Sequence, residues 1–302
     1  MWFIFALLTT FSWGIADLFY KKGADSKDKY STIKIGIMVG LVMGIHGILY
    51  MLIKGISFNP LDMVKYLPVS FFYILSMLIG YLGLRYIELS ISSPVQNSSG
   101  ALTAIVLILL FPKELEALEI VGIVLITAGV IGLAILEKKL QNAAMKTDKA
   151  IVNPKYQIGI LAIAFPILYA LIDAIGTIAD GIYLDELSLI SEDAALLAYE
   201  FTWLLYAIFA LIYLVLIKKE KFNIFKEPIR TSAAVFETAG QFFYVFAMSR
   251  NAVVAAPLIA SYSIVSVILS RIFLKEKLSK QHYRLIIIVM IGIAVLGITG
   301  EL

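Results

Sequence analysis

Residues 92–114 read SSPVQNSSGALTAIVLILLFPKE, and residues 255–276 read AAPLIASYSIVSVILSRIFLKE. Both stretches open with small residues and a proline, continue as a long apolar run and close with a Lys-Glu pair. An offset of 163 residues places Pro94 on Pro257, and an offset one residue smaller aligns the two Lys-Glu pairs. A duplicated apolar run of this kind predicts membrane-spanning helices in a chain with an internal repeat.

The repeat extends well beyond these two stretches. The offset of 163 residues also aligns Tyr81 with Tyr244, Gly129 with Gly292, and Leu133 with Leu296. Near the start of each half, an offset of 156 residues aligns Trp13 with Tyr169, Gly14 with Ala170, and Asp17 with Asp173. The sequence therefore predicts two copies of one structural unit.

The composition requires an apolar solvent around the protein. Hydrophobic residues make up 61% of the 302 residues and charged residues only 16%, whereas a soluble domain has roughly 25% charged residues. A membrane-spanning helix needs roughly 20 mostly apolar residues. We predict an all-α integral membrane protein with ten transmembrane helices, near 2–20, 33–53, 67–87, 91–111, 117–136, 157–179, 195–217, 230–249, 252–273 and 282–300.

Each half contains five predicted helices, so the second copy enters the membrane from the opposite side. The predicted organisation is a pair of inverted five-helix repeats, residues 1–136 and 156–302, joined by a polar linker at 137–155. The first apolar stretch has no basic residues before it, and we expect a retained helix and not a signal peptide.

The distribution of cations predicts the orientation in the membrane. Of the 25 Lys and Arg residues, 21 lie in or beside the connections that follow the odd-numbered helices. Only four lie on the other side: Lys54, Lys65, Lys113 and Arg250. The positive-inside rule then places both termini outside and the linker in the cytoplasm.

Four carboxylates lie inside the predicted helices, where each ionisable group costs about 2.5 to 3.5 kcal/mol on insertion scales. Helix rise predicts two levels, with Asp17 and Glu237 toward the cytoplasm and Asp173 and Glu200 toward the outside. One interpretation is pairing near the helix ends, for example of Asp17 or Glu237 with Lys34 or Arg85. The other is solute binding or proton transfer.

Polar and aromatic side chains accompany these acids. Glu237, Gln241 and Tyr244 share one helix face, which indicates a hydrated cavity or a polar helix contact. Aromatic residues inside membrane helices, such as Trp203, more often pack against other helices or lie at the membrane interface than bind a solute. Beside carboxylates, however, aromatic rings can bind a cationic solute by cation-π attraction. The lone His46 is more typical of packing than of proton transfer. The candidate solute-binding or coupling residues are Trp13, Asp17, Tyr81, Asn97, Tyr169, Asp173, Glu200, Trp203, Glu237, Gln241, Tyr244 and Tyr262.

The sequence contains no cysteine, phosphate-binding loop, metal-ligand cluster or nucleophile motif. We therefore expect no cofactor, no bound metal and no enzymatic activity. Orientation and contact with anionic lipid account for the basic loops without nucleic acid.

Several motifs resemble those of the drug/metabolite transporter superfamily, in its ten-helix EamA-type branch. The resemblance rests on Trp13 and Gly14 before Lys21 and Lys22, on residues 92–97, and on the duplicated Lys-Glu pair. It implies transport of a small-molecule solute across a membrane, most typically a prokaryotic cytoplasmic membrane. It also implies a central cavity lined by the first, third, fourth, sixth, eighth and ninth helices, with the fifth and tenth outside it.

Two functions remain open at this point. The first is a secondary transporter that moves a small cationic or zwitterionic metabolite or drug by alternating access, with protons as one candidate coupling ion. The second is a non-transporting membrane scaffold or accessory subunit. Organic anions are poor candidate solutes because intramembrane carboxylates would repel them.

Overall fold

The structure is a computed structural model that describes residues 1–146 and 160–300, and the regular elements in those residues are all helices. They are α1 Trp2–Gly23, α2 Ser31–Lys54, α3 Pro60–Lys65, α4 Leu67–Gly83, α5 Leu89–Gln96, α6 Ser99–Leu110, α7 Ala117–Lys146, α8 Ile160–Gly181, α9 Glu192–Ile212, α10 Pro228–Ala260, α11 Tyr262–Leu269 and α12 Lys280–Gly300. Single π-helical turns at Ile182–Glu186, Tyr213–Ile217 and Ser270–Leu274 extend α8, α9 and α11, and a short 3-10 helix covers Ile224–Lys226.

Eight helical segments of the described residues are long and apolar enough to cross a membrane. They are Trp2–Gly23, Ser31–Lys54, Leu89–Leu110, Ala117–Leu136, Ala164–Glu186, Glu192–Ile217, Pro228–Leu274 and Lys280–Ile298. Pro228–Leu274 contains 47 residues, about twice the length of one crossing. The apolar helix α4 is slightly shorter than the others, with 17 residues. These lengths and compositions are those of an integral membrane protein.

Two spans are interrupted shortly after equivalent prolines. The first break separates α5 from α6 after Pro94, and the second separates α10 from α11 after Pro257. Side chains satisfy carbonyls at each break: Asn97 Nδ2 donates to the Ser93 carbonyl at 2.9 Å, and the Ser261 hydroxyl donates to the Leu258 carbonyl. Such local hydrogen bonds stabilise a helix interruption inside a membrane.

Separate helices were predicted at 230–249 and 252–273, and the structure agrees: Asn251 has non-helical backbone angles of φ −165° and ψ 76° and divides α10 at a kink. Two other predicted boundaries were wrong. The polar linker was expected to begin at residue 137, whereas α7 continues to Lys146; the rest of the predicted linker, 147–155, lies outside the described residues. The predicted helix 157–179 ended one residue before Asp180, which belongs to α8.

Helices from the two halves of the chain pack in pairs. The closest pairs are α1 with α10, α4 with α8, α2 with α9, and α7 with α12. A Cβ atom on Gly129 of α7 would lie 2.1 Å from Val289 Cγ2 of α12, and one on Gly292 would lie 2.8 Å from Ile126 Cγ1. The two glycines therefore allow α7 and α12 to pack closely.

The helix ends lie on two faces. The basic face contains the connections 24–30, 84–88, 218–227 and 275–279, and the opposite face contains 55–66, 111–116 and 187–191. Contacts hold each face together: Lys34 pairs with Glu220 at 3.1 Å on the basic face, and Lys65 donates to the Leu189 carbonyl on the opposite face.

Candidate functional site

A cavity lies at the centre of the helix bundle, with about 810 Å³ of space between its lining atoms, part of it open to solvent. Its walls come from α1, α4, α5, α6, α8, α10 and α11, and Tyr199 adds a contribution from α9. These are the helices that the family resemblance implies, with α9 in addition. Helices α7 and α12 contribute no lining residue.

Ten of the twelve predicted site residues line this cavity: Trp13, Asp17, Tyr81, Asn97, Tyr169, Asp173, Glu237, Gln241, Tyr244 and Tyr262. The other two, Glu200 and Trp203, lie between α2 and α9. The structure therefore brings most of the candidates together, whereas their part in solute binding stays a prediction.

The carboxylate of Asp17 is fixed by the two broken spans. Its Oδ2 atom accepts hydrogen bonds from the hydroxyls of Ser93 in α5 and Ser266 in α11, both at 2.7 Å. Asp17 is only 8% exposed. A buried carboxylate needs such donors because it has lost its hydration shell.

The carboxylate of Asp173 has a similar environment in the other half of the protein. Its Oδ2 accepts from the Ser99 hydroxyl at 2.7 Å, at the start of α6, and its Oδ1 accepts from the Ser76 hydroxyl at 3.4 Å. Asp17 and Asp173 line one cavity. The two acids accept from different serines, and their assignment to two acidic levels stays a prediction.

Glu237 provides the third carboxylate. Its Oε2 accepts from the Tyr20 hydroxyl at 3.2 Å, and its backbone carbonyl accepts from Trp13 Nε1 at 3.3 Å. Gln241 and Tyr244 follow Glu237 along the wall of the cavity. The polar stripe of α10 thus faces the cavity. This agrees with the first of its two interpretations, a hydrated cavity, and not with the second, a polar helix contact.

The cations named as possible partners of these acids bind elsewhere. Lys34 pairs with Asp28 and Glu220, each at 3.1 Å. Arg85 donates to the backbone carbonyls of Ser26 and Lys29. The predicted pairing of Asp17 or Glu237 with Lys34 or Arg85 is therefore not what the structure shows.

Aromatic rings form much of the remaining wall. The Trp13 ring centroid lies 5.0 Å from that of Tyr244 and 5.8 Å from that of Tyr262. The ring centroids of Tyr20 and Tyr81 are 4.5 Å apart. Several other tyrosines, which our sequence analysis did not select, also line the cavity: Tyr20, Tyr73 and Tyr199.

Asp180 is a buried acid that the sequence analysis missed as a candidate. It is fully buried in α8, and the Tyr66 hydroxyl donates to its Oδ1. Asp173, Thr177 and Asp180 have the same spacing as the polar stripe of α10, so extension of the span by a few residues would have identified Asp180. Next to it, the hydroxyls of Tyr73 and Tyr244 share a hydrogen bond.

Glu200 and Trp203 occupy the contact between α2 and α9. Glu200, a candidate for the same site as Asp173, does not line the cavity; it is fully buried and its Oε1 lies 2.7 Å from His46 Nδ1. Trp203 is also fully buried, with its ring 5.4 Å from that of Tyr206. No group of three or more His, Cys, Asp or Glu side chains that could hold a metal occurs in the described parts of the chain.

Comparison with known proteins now identifies the family. The model of the EamA-like transporter family matches residues 1–135 and 158–298. The chain belongs to the EamA-like transporter family. This result confirms the family indicated by the sequence motifs, and it supports a membrane transporter of small solutes.

One solved structure shows the same fold at low sequence identity. A crystal structure of a protein aligns with 99% of this EamA-like chain and with 97% of its own chain, at 11% identity and a TM-score of 0.65. No curated protein sequence matches the chain.

Proposed function

We propose that this EamA-like protein is a secondary transporter that carries a small cationic or zwitterionic solute through the central cavity by alternating access. One observation carries the proposal: three carboxylates, the buried Asp17 and Glu237 and the partly buried Asp173, line the cavity, and no lysine or arginine of the described residues does so. A cavity with this charge attracts cations.

The charge of the wall selects against anions. An organic anion would lose its hydration on entry and would then be repelled by carboxylates of the same charge. Both the desolvation and the repulsion would raise the free energy of the bound anion. A positively charged ammonium group would instead replace its lost water by ion pairing with Asp17 or Asp173.

The neutral residues of the wall suit the same class of solute. The rings of Trp13, Tyr244 and Tyr262 are placed to contact an ammonium group by cation-π attraction, which contributes about 0.5 to 2 kcal/mol per ring. The side-chain amides of Asn97 and Gln241 also line the cavity. Because Asn97 Nδ2 donates to Ser93, the Gln241 amide is the group that would bind the carboxylate of a zwitterion.

The proposed architecture is ten membrane crossings in two inverted repeats, with residues 1–136 and 156–302 as the repeat units. Two features support it. The 47-residue segment is long enough for two crossings around the kink at Asn251. The packing pairs also follow the repeat. Exchange of each helix for its counterpart in the other half turns the pair α1–α10 into the pair α8–α4. The same exchange leaves the pairs α2–α9 and α7–α12 unchanged.

Alternating access needs contacts that close the cavity toward each face, and hydrogen bonds on both sides of the cavity are candidates for this closure. Toward the basic face, Lys21 donates to the backbone carbonyls of Leu84 and Ile87. Toward the opposite face lie the hydrogen bonds of Tyr66 with Asp180 and of Tyr73 with Tyr244. Rearrangement of one set at a time would open the cavity to one side of the membrane.

The test is a binding and flux experiment with solutes of different charge. Purified protein is heated with choline, spermidine, alanine, citrate or glucose 6-phosphate, since a ligand that binds only the native state raises the unfolding temperature. We expect stabilisation by choline, spermidine or alanine and flux of the same compound in proteoliposomes.

Two results would contradict the proposal. Stabilisation and transport of citrate or glucose 6-phosphate would refute the charge argument. The absence of flux for every compound, together with a stably co-purifying membrane protein, would favour the scaffold.

A further inference from the structure

A second buried carboxylate site lies outside the cavity, between α2 and α9. Glu200 Oε1 and His46 Nδ1 are 2.7 Å apart, and the side chains are 0% and 32% exposed, respectively. Both residues lie eight positions from the helix ends at Glu192 and Lys54, roughly 12 Å along the helix at about 1.5 Å per residue. The pair is therefore at membrane depth.

The second carboxylate oxygen of Glu200 has no hydrogen-bond partner within the described residues. It faces Gly47 of α2, where a Cβ atom would lie only 3.0 Å from it. Glycine at this position leaves the room that the carboxylate occupies. The sequence thus places an incompletely satisfied acid against a partly exposed imidazole in an otherwise apolar contact.

The groups around the pair lead toward the opposite face. The Tyr50 ring lies 5.9 Å from that of His46, and its hydroxyl donates to Asp193 Oδ1. Lys54 lies over the Tyr50 ring at 5.6 Å, and Glu192 accepts from Ser249.

From α10, the non-titratable Phe242 packs against the His46 ring at 5.8 Å. The titratable groups that face the pair are therefore Tyr50, Lys54, Glu192 and Asp193.

Burial determines which protonation state of the pair is stable. A neutral imidazole that donates from Nδ1 leaves the pair with one net negative charge, and one further proton makes the pair neutral overall. Because a net charge at membrane depth costs several kcal/mol, the buried arrangement favours the additional proton. Separation or hydration of the two side chains would remove that preference.

We propose that His46 and Glu200 form a proton-binding site, separate from the solute cavity, through which a proton gradient drives transport. The proposal rests on the proposed transport function. Helices α2 and α9 belong to different halves of the chain, so relative movement of the halves changes this contact. One proton enters the pair from water on one side and leaves to water on the other, and no other bond forms or breaks.

The experiment compares solute exchange with solute accumulation. Wild type and the variants Glu200→Gln and His46→Gln are reconstituted in proteoliposomes with radiolabelled choline. Exchange of internal for external choline at equal pH requires no net proton movement, whereas accumulation under an imposed pH gradient of either direction does. We expect wild type to perform both reactions, and both variants to keep exchange and lose accumulation.

Glu114→Gln is the matched control, because it removes an exposed carboxylate of the opposite face that is not among the groups around the pair, and it should accumulate choline as wild type does. Undiminished accumulation in both pair variants would overturn the proposal. So would a wild-type protein that exchanges choline but does not respond to the pH gradient. Absence of exchange for choline and for the other compounds tested would instead count against the proposed function.

A spectroscopic measurement tests the site without any solute. The chain contains two histidines, so ring-labelled histidine gives two imidazole signals by NMR, and His282→Gln assigns them. We expect the pH range over which the His46 signal changes to differ between wild type and Glu200→Gln, and to be the same in wild type and Glu114→Gln. Identical titration in wild type and Glu200→Gln would refute proton sharing by the pair.

Discussion

At the scale of single residues, serine hydroxyls determine where the cavity acids point. Ser93 and Ser266 hold Asp17, and Ser99 holds Asp173, all at 2.7 Å. The hydroxyls belong to the spans that are broken near Pro94 and Pro257. A change in the position of these spans would therefore move the carboxylates with them.

The first prediction concerns these two acids. Asp17→Asn and Asp173→Asn remove the charge with little change of shape, so each should weaken choline binding at least tenfold, which corresponds to about 1.4 kcal/mol. Titration calorimetry of purified protein measures the loss. Asp62→Asn, in the short helix α3 outside the cavity, should bind as wild type does, and unchanged affinity in both cavity variants would make the acids structural.

A second prediction concerns Asp28, in the connection between α1 and α2. Burial alone would raise the pKa of Asp28, but hydrogen bonds from Lys34 and from the Tyr30 backbone, with the charges of Lys34 and Arg230, hold that pKa below its ordinary value of 3.8. The stabilisation is complete above the ordinary pKa and is lost as pH falls through the lowered value.

Thermal unfolding between pH 6 and pH 2.5 tests this prediction. The unfolding temperature of wild type should fall more steeply at the acidic end than that of Asp28→Asn, and the two proteins should differ most near neutral pH. Asp25→Asn serves as the control because Asp25 is exposed in the same connection. Parallel curves for wild type and Asp28→Asn would show that the ion pairs add no stability.

The sequence predicted the cavity residues better than it predicted their partners. Charge and helical spacing were enough to select Glu237, Gln241 and Tyr244, because a polar stripe on an apolar helix needs a polar environment. The contact between Glu200 and His46 joins residues 154 positions apart. Periodicity within one helix carries no information on such a contact.

At the scale of helices, glycines allow α2 and α9 to approach closely. A Cβ atom on Gly40 would lie 2.2 Å from the Trp203 carbonyl oxygen, and one on Gly44 would lie 2.7 Å from Leu204 Cδ1. Small residues give membrane helices this kind of van der Waals contact. Trp203 is thus positioned by packing against α2, which explains why it does not reach the cavity.

The third prediction follows from this contact. Gly40→Leu places a side chain against the α9 backbone, which cannot give way as a flexible side chain could, and should destabilise the protein by about 1 to 3 kcal/mol. Thermal unfolding in one detergent measures the effect. Ile48→Phe adds volume at a position of α2 that is 45% exposed and should change little, and equal stability of both variants would refute the close contact.

A fourth prediction concerns Lys113, which belongs to the first Lys-Glu pair. Lys113 pairs with Asp185 at 2.8 Å and with Glu186 at 2.9 Å, and Asp185 accepts from the Ala252 N–H just after the kink in α10. Burial lowers the pKa of Lys113, but the hydrogen bonds and charges of Asp185 and Glu186 outweigh it and raise that pKa above 10.5.

Removal of this cation should weaken the junction of three segments. We expect Lys113→Met to lower the unfolding temperature slightly, because a partly exposed ion pair contributes no more than about 1 kcal/mol to the free energy of unfolding. The unfolding temperature of this variant should also depend less on salt concentration. Lys277→Met, at an exposed position of the basic face, is the control. Equal salt sensitivity of wild type and Lys113→Met would contradict the prediction.

Helix positions were predictable where apolar runs end in charged or turn residues. The break near Asn251 is an example, since Arg250 and Asn251 separate the two predicted helices and the backbone of Asn251 is non-helical. The end of α8 was not predictable in this way: the charge of Asp180 ends the apolar run at residue 179, whereas the helix continues to Gly181 and Asp180 contacts Tyr66.

At the scale of the whole molecule, charge differs between the two faces. The described connections of the basic face contain nine lysines and arginines, whereas those of the opposite face contain two. The acids Asp185, Glu186, Glu192 and Asp193 lie beside the connections of the opposite face. Lys65 and Lys113, two of the few cations there, are engaged with Leu189 and with Asp185 and Glu186. Their positive charge is thus partly compensated by local partners.

The last prediction is the orientation that this asymmetry implies, with the basic face in the cytoplasm. The chain has no cysteine, so a single introduced thiol reports one position without background. Ser26→Cys on the basic face and Ser57→Cys on the opposite face are matched isosteric changes at exposed positions. In intact cells an impermeant maleimide should label the cysteine at position 57 and spare the one at position 26 until the membrane is permeabilised. The reverse pattern would place the basic face outside, and labelling of both before permeabilisation would refute a single orientation.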